Sequence, residues 1–299
     1  MIQNSILFGR KVAGKIFRML GVDLSKILSK ILHRSLFWSA AQQDLNALIG
    51  KLREIEPDIS NQESSGKEGF NQFWEQKRRA LQAFQCNLML DTIKLLPKDK
   101  TLKVVDIGDS AGTHMLYLKA LDKSAHKIET LGVNLDPNAI AKIQARGQKA
   151  LLCRAEDLDL RGILVDLFVS FQMVEHLHNP SIFFRRLTRR SSCNRMIITV
   201  PYLQGSRVGL HTLRIKSNKK VSAEEEHIFE LSPKDWELLL LHSGWKVLKS
   251  KTYYQYPLGI PILSKTLANL WKKFDFEGFW GAILEKDTSS SDLYQNWEE

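Results

Sequence analysis

The sequence predicts an α/β protein in which a doubly wound, mostly parallel sheet carries helices on both faces. From Leu102 onward, strand-like apolar runs alternate with helical segments of about 10–15 residues, which is the pattern of consecutive βαβ units. The first run, LKVVDIG, leads directly into the glycine-containing turn GDSAG and then into a helix. Such a turn is typical of the first strand in a sheet that binds a nucleotide-like ligand.

The predicted elements follow one another in a regular order along the chain. The predicted strands are LKVVDIG, IETLGVNL, KALLC, LVDLFVSF, RMIITVPY, WKVLKSKTYYQY and GFWGAILEK. The helices predicted among them are THMLYLKALDK, PNAIAKIQARG, PSIFFRRLTRR, SPKDWELLLLHSG and PILSKTLANLWKKF. The fourth of these helices has the clearest limits, because Ser232 is a suitable N-cap, Pro233 suits the first turn and Gly244 suits the end.

Three regions are predicted: a helical, basic amphipathic segment over residues 1–98, a domain over 99–286, and a disordered, Ser-rich acidic tail over 287–299. Within residues 1–38, seven Lys and Arg residues accompany a single acid, Asp23, and apolar residues recur at helical spacing. A helix of this kind lies on a membrane surface, docks a partner, or packs on the core of its own protein. The sequence leaves these alternatives open.

A second long helix is predicted over residues 70–96, where Pro97 ends it. Four of its apolar side chains either cover a cofactor pocket or belong to the core, namely Phe73, Trp74, Leu81 and Phe84. Aromatic residues at helical spacing more often belong to a core, so the position of this helix decides between the two interpretations.

Composition limits the function classes. The net charge of +10 suits an anionic partner. No aromatic platform or base-reading motif accompanies the basic residues, so we expect no nucleic-acid partner. The cysteines, Cys86, Cys153 and Cys193, are too far apart for a zinc motif or a disulfide framework, which fits a reducing cytoplasm. No apolar run reaches the ~20 residues of a membrane span, so we expect a cytoplasmic protein whose membrane association, if any, is peripheral.

The GDSAG turn allows two interpretations, of which the first is a serine hydrolase. GxSxG is the nucleophile elbow of that class, with Ser110 as the nucleophile. That fold places several strands and an oxyanion loop before the elbow, whereas residues 1–100 here are predicted to be helical and contain no His-Gly-Gly run. Candidate triad partners follow (Asp166, His176 and His227), but the chain has eight histidines and such partners are expected by chance.

The second interpretation is a cofactor loop, and four consecutive strand ends support it. Gly108 and Gly112 leave the backbone of the first turn bare, so that a ligand can approach it. The second strand ends at Asn134, where a ribose is usually held, and the third ends at CRAEDLDL, beside an adenine edge. The fourth ends at SFQMVEHLHNP, beneath the reactive end of the ligand. Four ordered signals are more specific than one glycine motif.

From about Leu102 to Lys286 the sequence resembles the class I S-adenosylmethionine-dependent methyltransferases, in particular the small-molecule subgroup with an EH-L-x-x-P motif. The segments that carry the resemblance are VVDIGDSAGTH, GVNLDP, RAEDLDL, VDLFVSFQMVEHLHNP, RMIITVPY and EEHIFELSPKDWELLLLHSGWKVL. The resemblance implies a Rossmann-like, seven-stranded sheet whose last strand, FWGAILEK, is antiparallel. It also implies S-adenosyl-L-methionine as the cofactor. It does not extend over residues 1–100.

The resemblance further implies the cofactor-binding residues, which are Asp106, Gly108, Gly112, Asn134, Ala155, Glu156, Asp157, Ser170 and Phe171. Asp106 and Gly108 would lie near the methionine part of the cofactor, and Ala155 to Asp157 would border its adenine. Ser170 and Phe171 would flank the methionine end. Asn134 replaces the usual acidic residue at the ribose; its amide can still bond two hydroxyls, but without charge assistance.

Two histidines are the candidate catalytic bases, although a base is needed only for a poorly acidic acceptor. His176 follows the fourth strand, and His227 follows an insertion that commonly lines the acceptor pocket. No metal-ligand spacing recurs, so no metal is predicted. The expected reaction is displacement at the sulfonium methyl by a small-molecule, glycan or lipid-linked acceptor. A methyltransferase-like binding protein without catalysis and the serine hydrolase are the alternatives.

Overall fold

The structure is a computed structural model that describes residues 24–62, 70–97, 100–124, 126–218 and 220–294. Three helices precede the sheet, namely α1 Leu24–Gln42, α2 Asn46–Ile55 and α3 Gln72–Ile93. N-terminal helices are therefore present as predicted, while the predictions for residues 1–23 and 63–69 lie outside the described residues. None of the helices in the described part of the chain is long and apolar enough to cross a membrane.

Strands and helices then alternate up to the C-terminal region. The strands are β1 Leu102–Ile107, β2 Ile128–Asn134, β3 Lys149–Leu152, β4 Leu167–Phe171, β5 Arg195–Pro201, β6 Arg207–Val208, β7 Phe229–Glu230, β8 Trp245–Tyr254 and β9 Gly278–Lys286. The helices among them are α4 Thr113–Leu121, α5 Pro137–Ala145, α6 Pro180–Arg190, α7 His211–Arg214, α8 Pro233–His242 and α9 Pro261–Phe274. As predicted, Ser232 caps α8, since its side chain accepts a hydrogen bond from the Asp235 backbone N–H.

The described residues form a seven-stranded sheet with the order β3-β2-β1-β4-β5-β9-β8. Strands β1 to β5 are parallel, whereas β9 is antiparallel to both of its neighbours, β5 and β8. This confirms the predicted doubly wound, mostly parallel seven-stranded sheet, including the antiparallel strand GFWGAILEK. Because β1 lies between β2 and β4, the direction of the strand order reverses there.

Both faces of the sheet are buried, which explains the continuous apolar runs in its strands. On one face, Val104 and Leu167 belong to a core that includes side chains of α2, α3 and α4. On the other face, Val105 and Phe168 pack with side chains of α6 and α8. Successive side chains of one strand point to opposite faces, so both cores draw on the same strands.

Helix α3 packs so closely on the sheet that it requires a glycine beneath it. A Cβ on Gly281 of β9 would lie 2.4 Å from Leu88 Cδ1 and 2.9 Å from Phe84 Cζ. The Phe84 ring also stacks on Tyr253 of β8, with ring centroids 5.9 Å apart. Phe84 and Phe73 are both buried members of hydrophobic clusters, so for these two residues the core interpretation is correct.

Arg79 of α3 ties the N-terminal helices to one another, although it is fully buried. Its guanidinium donates hydrogen bonds to groups of α2, α3, α4 and the loop after α2: Leu52 O (3.0 Å), Glu56 O (2.7 Å), Pro57 O (2.9 Å), Glu75 Oε1 (3.1 Å) and Tyr117 Oη (3.0 Å). Buried carbonyls without partners are costly. The segment before the sheet is therefore joined to the core of the domain by polar contacts as well as by apolar packing.

Helix α1 buries one face and exposes the other. Leu32 and Leu36 belong to a cluster with Trp271 of α9, whose indole N–H donates to Ser35 Oγ at 3.0 Å. Of the three alternatives for the basic amphipathic residues 1–38, packing on the protein's own core therefore holds for this face of α1. The exposed face nevertheless carries large apolar side chains, which are Ile27, Leu28, Ile31, Phe37 and Trp38.

The prediction of a disordered tail is wrong for residues 287–294. The Asp287 N–H donates to Gly244 O at 3.0 Å, and the buried Ser291 begins a 3₁₀ turn. The Tyr294 ring packs edge-on against His242, with ring centroids 4.4 Å apart. Backbone bonds to the turn before β8 leave no signature in a polar sequence, which is why composition misled the prediction. The prediction for residues 295–299 lies outside the described residues.

We expect Arg79→Ala to lower the free energy of unfolding by about 3–5 kcal/mol, because it strands buried carbonyls and leaves Glu75 without its buried partner. Denaturant unfolding of the full chain measures this difference. The matched control is Arg53→Ala, since Arg53 also bonds Glu75 (2.9 Å) but is substantially exposed. That control should cost no more than about 1 kcal/mol. Equal losses for both variants would contradict the role given to Arg79.

Candidate functional site

A cavity of about 560 Å³ lies at the carboxyl ends of β1, β2 and β4. The turn after β1 supplies Gly108 and Ser110, and the ends of β2 and β4 supply Asn134 and Phe171. Helix α3, the loop before β7 and the segment between α9 and β9 line the remaining sides. This is the crevice where ligands bind in open α/β sheets, at the point where the strand order reverses.

The turn after β1 has a conformation that favours glycine. Gly108 has a φ of +93°, and a Cβ there would lie 2.6 Å from Met173 Cγ. Gly112, with a φ of +73°, begins α4. The Asp109 side chain holds the turn, because its Oδ1 accepts hydrogen bonds from the N–H groups of Ala111 (3.0 Å) and Gly112 (2.6 Å). The bare backbone at Gly108 faces the cavity, while Gly112 is not part of its lining.

Two buried acids, Asp106 and Asp109, lie behind this turn. Each has one carboxylate oxygen, Oδ2, without a hydrogen-bond partner among the described residues. Burial and the charge of Asp106 raise the pKa of Asp109 above its ordinary value, and the N–H of Gly112 only partly offsets this. Asp106 does not reach the cavity. Its Oδ2 lies 3.6 Å from Nδ1 of His114, which does line it.

Asn134 lines the cavity, and the turn after β1 uses part of its amide. Nδ2 donates to the Asp109 carbonyl at 3.1 Å, and Oδ1 accepts from the Asp136 N–H at 2.8 Å. One N–H and one lone pair are left, which suffices for one donated and one accepted bond. Asp136, two residues further on, caps α5 by accepting a hydrogen bond from the Asn138 N–H.

The predicted adenine segment is a 3₁₀ turn over Ala155–Asp157. Ala155 and Glu156 line the cavity, whereas Asp157 is exposed and lies outside its lining. The preceding residues Cys153 and Arg154 also line it, which the sequence analysis did not identify. A three-residue turn directs successive side chains around its axis, so a run of neighbours does not share one face.

Of the two residues predicted at the end of β4, only Phe171 reaches the cavity. Its ring packs edge-on against His114, with ring centroids 4.8 Å apart. Ser170 is fully buried outside the cavity lining, because adjacent strand residues point to opposite faces. The next residue, Gln172, lines the cavity with a φ of +53°, a strained conformation of the kind that concentrates at functional sites.

His176 and His227 both line the cavity, and their ring centroids lie 4.6 Å apart. His176 Nδ1 lies 3.1 Å from the Glu226 carbonyl, and His227 Nδ1 lies 3.1 Å from Glu230 Oε1. The same Glu230 oxygen is 2.7 Å from His211 Nε2. The two candidate bases are therefore brought together, and each imidazole is oriented by an acceptor at Nδ1.

The titration of these groups follows from burial and from their neighbours. Burial, and then the charge of His227, lower the pKa of His176 to about 4. Burial lowers the pKa of His227 as well, but the hydrogen bond to Glu230 and the nearby carboxylates raise it above the ordinary value overall. Burial raises the pKa of Glu230, yet its hydrogen bonds to His227, His211 and Arg207 lower it to about 2.

A second acidic side chain, Glu175, completes this group. It is fully buried, and burial raises its pKa to about 7. Its carboxylate and the imidazoles of His176 and His227 present possible metal-ligand atoms that all lie within 4.8 Å of one another. No metal-ligand spacing is visible along the chain, because the fold brings His227 to Glu175 and His176 across α6, β5 and the insertion.

Helix α3 forms a wall of the cavity that the sequence analysis identified only in part. Trp74 and Leu81 line the cavity, in line with the interpretation that aromatic and apolar residues of this helix cover a pocket. Polar side chains of the same helix were missed, namely Lys77, Arg78, Gln82 and Gln85. The helical period marks both faces of such a helix, yet it does not show which face meets a cavity.

The geometry does not support a serine-hydrolase triad. No hydrogen bond joins Ser110 to a histidine in the described ranges. Asp166 immediately precedes β4, at the amino end of the sheet, and it accepts hydrogen bonds from Lys100 Nζ and the Lys103 N–H. The opposite, carboxyl end of the sheet carries Ser110. In addition, β1 lies in the middle of the sheet and only helices precede it in the described residues.

Comparison with known proteins gives one family match. Residues 105–191 match the family model described as a methyltransferase domain. No curated protein matches the chain. The matched segment begins in β1 and ends just after α6, so it contains the turn after β1, Asn134 and the end of β4.

Several solved structures resemble the chain at low identity. The cyclase SpnF has a TM-score of 0.51 and 13% identity, over 84% of this chain and 96% of that chain. Magnesium protoporphyrin IX methyltransferase from Synechocystis PCC 6803, with bound SAM, has a TM-score of 0.49 and 10% identity over 87% and 97%. Burkholderia thailandensis 1,6-didemethyltoxoflavin-N1-methyltransferase has a TM-score of 0.49 and 11% identity, over 84% of this chain and 89% of that chain. The likeness shows the fold, which is the Rossmann-like methyltransferase fold.

We expect Asp109→Asn to flatten the dependence of stability on pH. The folded protein holds the Asp109 proton more tightly than the unfolded chain does, so wild-type stability falls as pH rises above the unfolded pKa of about 4. The fall ends once the folded carboxyl is also ionised, and each pKa unit is worth about 1.4 kcal/mol. Denaturant unfolding between about pH 4 and pH 8 measures the effect.

The control for this prediction is Asp109→Ala. Asparagine keeps an oxygen for the N–H groups of Ala111 and Gly112, whereas alanine removes it, so Asp109→Ala should lose about 1–2 kcal/mol at every pH. A wild-type slope in Asp109→Asn would show that the carboxyl ionises normally in the folded protein.

Proposed function

We propose that the protein is an S-adenosyl-L-methionine-dependent methyltransferase that acts on a small-molecule, glycan or lipid-linked acceptor. The observation that carries this proposal is the bare backbone cradle at Gly108, which faces a cavity between the ends of β1, β2 and β4. The match of residues 105–191 to a methyltransferase domain supports it, since this segment supplies the cradle.

The residues around the cradle fit this cofactor. Gly108 leaves room beside Met173 where any Cβ would clash. Asn134 retains one donor and one acceptor for the two ribose hydroxyls, and Ala155 with Glu156 would border the adenine. When bound, the cofactor supplies a methyl group that is already activated on a sulfonium. Two of the solved structures of this fold hold the cofactor or S-adenosylhomocysteine, in keeping with the assignment.

The chain's own contribution is positioning and exclusion of water. Trp74 and Leu81 of α3 cover the cavity with apolar surface, which keeps water from the reacting groups. Phe171 and His114 pack against each other at the end of β4 and would flank the methionine end. Asp106 lies behind His114 and would act as a positioning residue through it, rather than by direct contact. Alignment of the reactants is the main task of such a site.

The acceptor would lie at the end of the cavity that His176 and His227 occupy. His176 is held by the Glu226 carbonyl, and His227 is held by Glu230 in the manner of a base oriented by a carboxylate. These two imidazoles are therefore the side chains that would contact the acceptor hydroxyl and influence its proton.

A binding protein or an enzyme of another reaction on the same fold is the alternative. The cyclase SpnF shares this fold, so the fold alone does not decide the reaction. Incubating the full chain with methyl-labelled S-adenosyl-L-methionine and cell extract, separated into lipid and aqueous fractions, distinguishes the two. Labelled product supports the transferase and shows the acceptor class, whereas cofactor binding without any transfer supports the alternative.

We expect Gly108→Ala to weaken S-adenosyl-L-methionine binding by at least about tenfold, or about 1.4 kcal/mol. The new Cβ would meet Met173 and the backbone would be strained at its positive φ. Titration calorimetry with the cofactor and with S-adenosylhomocysteine measures the change. Ser110→Ala is the control in the same turn and should change the affinity less than about threefold. Loss of all activity in that control, with binding kept, would favour the hydrolase.

We further propose that α1 and α9 rest on an anionic membrane surface. Ile27, Ile31 and Trp38 of α1 are exposed, and Ile262 of α9 is 86% exposed. Neither helix contains an acidic residue, while both carry Lys or Arg. Apolar side chains combined with basic ones are what an interfacial helix requires.

The two helices would present these groups together. Leu32 of α1 packs with Trp271 of α9. At the end of α1, Gln42 exchanges two hydrogen bonds with the backbone of Leu258, three residues before α9 begins. Leu258 is itself exposed, and its partner Gln42 follows Trp38 by one turn of α1. The exposed apolar residues are thus on adjoining elements, which supports contact with one flat surface.

We expect the double variant Ile31→Glu/Ile262→Glu to lose most binding to vesicles that contain anionic phosphatidylglycerol, because it removes apolar contact and adds repulsion. Co-sedimentation of the full chain with these vesicles and with neutral phosphatidylcholine vesicles measures binding. The matched control is Leu213→Glu/Leu238→Glu, two exposed leucines on other elements. Equal binding by both double variants would exclude α1 and α9 as the contact.

A further inference from the structure

The cluster of Glu175, His176 and His227 is a feature that the proposed cofactor cradle does not use. Glu175 is fully buried, and neither of its carboxylate oxygens has a hydrogen-bond partner among the described residues. A buried carboxylate without a partner is costly, and such groups in proteins are paired, protonated or bound to a metal. The two imidazoles beside it therefore raise the question of a cation.

We propose that Glu175, His176 and His227 bind a divalent first-row transition-metal ion at the acceptor end of the cavity. Two histidine nitrogens and one carboxylate oxygen form the ligand set of catalytic zinc and non-haem iron sites, in which further positions stay open. Imidazole ligands favour zinc or iron over magnesium and calcium, which prefer oxygen ligands. The binding of the ion is independent of the proposed function; only its role rests on it.

Both imidazoles are already oriented for ligation. The Glu226 carbonyl can only accept, so His176 must carry its proton on Nδ1 and keeps the lone pair on Nε2. His227 likewise donates from Nδ1 to Glu230, which leaves Nε2 for a cation. A metal-bound histidine almost always donates its other N–H to a carboxylate or a backbone carbonyl. The cluster has both kinds of acceptor.

The backbone holds the two halves of the ligand set together. The Ile228 N–H donates to the Glu175 carbonyl at 2.8 Å, which fixes the segment of His227 beside the turn that carries Glu175 and His176. The possible ligand atoms lie within 4.8 Å of one another. Two ligands about 2.1 Å from one cation are at most about 4.2 Å apart, so small side-chain rotations would close the set.

The open positions of the ion would face the acceptor. His176 and His227 line the cavity, whereas Glu175 lies behind them and has no exposed surface. An acceptor hydroxyl that binds there would become more acidic and release its proton to water, because a divalent cation stabilises the oxyanion. This assignment, which rests on the proposed function, specifies an oxygen nucleophile: the acceptor is a hydroxylated molecule.

The experiment measures metal binding directly, without turnover. The full chain, with any affinity tag removed, is treated with a chelator and dialysed against Zn²⁺, Mn²⁺ or Mg²⁺, and bound metal is measured by elemental analysis. We expect about one Zn²⁺ per chain and a melting temperature that rises with Zn²⁺ concentration. Mg²⁺ should bind more weakly.

Glu175→Gln and His227→Ala should each weaken Zn²⁺ binding by at least about tenfold and abolish the rise in melting temperature. The matched control is His178→Ala, an exposed histidine two residues from His176 that is outside the cluster. The melting curves also show whether each variant is folded. If one of the two variants does not fold, the other still tests the proposal. A wild-type chain that binds no metal, or folded variants that bind like wild type, would overturn the proposal.

A parallel calorimetric titration with S-adenosyl-L-methionine separates this proposal from the proposed function. Zn²⁺ bound at the cluster without cofactor binding supports the metal site and removes its role in methyl transfer. Cofactor binding with no metal at the cluster overturns the metal site and leaves the methyltransferase proposal intact. Binding of both ligands, with the metal lost only in the cluster variants, supports both.

Discussion

The position of β1 between β2 and β4 is the constraint on which the rest of the structure depends. Helix α4, which follows β1, packs on one face of the sheet, and α6, which follows β4, packs on the other. The connections therefore leave in opposite directions and no crossover covers the carboxyl ends of these strands. The crevice that results collects strand-end side chains from segments far apart in the chain. Its chemistry is set by whatever residues end those strands.

The helices before the sheet complete this crevice, so they are part of the domain rather than an appendage. Gln85 of α3 shows the connection: its Nε2 donates to Thr199 Oγ1 of β5 at 3.0 Å, and its Oε1 lies 3.0 Å from His114 Nε2. The Gln85 side chain thus joins α3 to the sheet and to His114, which lines the cavity. Arg79 anchors the same helix to the N-terminal segment. Helix α3 therefore contributes both to the geometry of the cavity and to the stability of the fold.

The sequence predicts the sheet well and the site only in part, for physical reasons. Apolar periodicity and cap residues indicate where strands and helices lie. The predicted ends of three strands then identify Gly108, Asn134 and Phe171 as residues of the crevice. The face of a single side chain is less certain: Ser170 and Phe171 are adjacent, yet one residue of register separates the cavity from the core. His227 and Glu175 meet only through tertiary packing, so their pattern has no local signature.

Two groups of buried acids lie close to residues that line the cavity, and their carboxylates differ in their partners. One Asp109 oxygen accepts hydrogen bonds from backbone N–H groups, while its other oxygen and Asp106 Oδ2 have no hydrogen-bond partner among the described residues. Glu230 contacts Arg207, His211 and His227, whereas Glu175 has no side chain in hydrogen-bond contact. Unpaired buried carboxyls cost stability in the empty protein. A divalent ion bound by Glu175, His176 and His227 would supply positive charge to the Glu175 carboxylate, so metal binding would offset part of the cost of burying it.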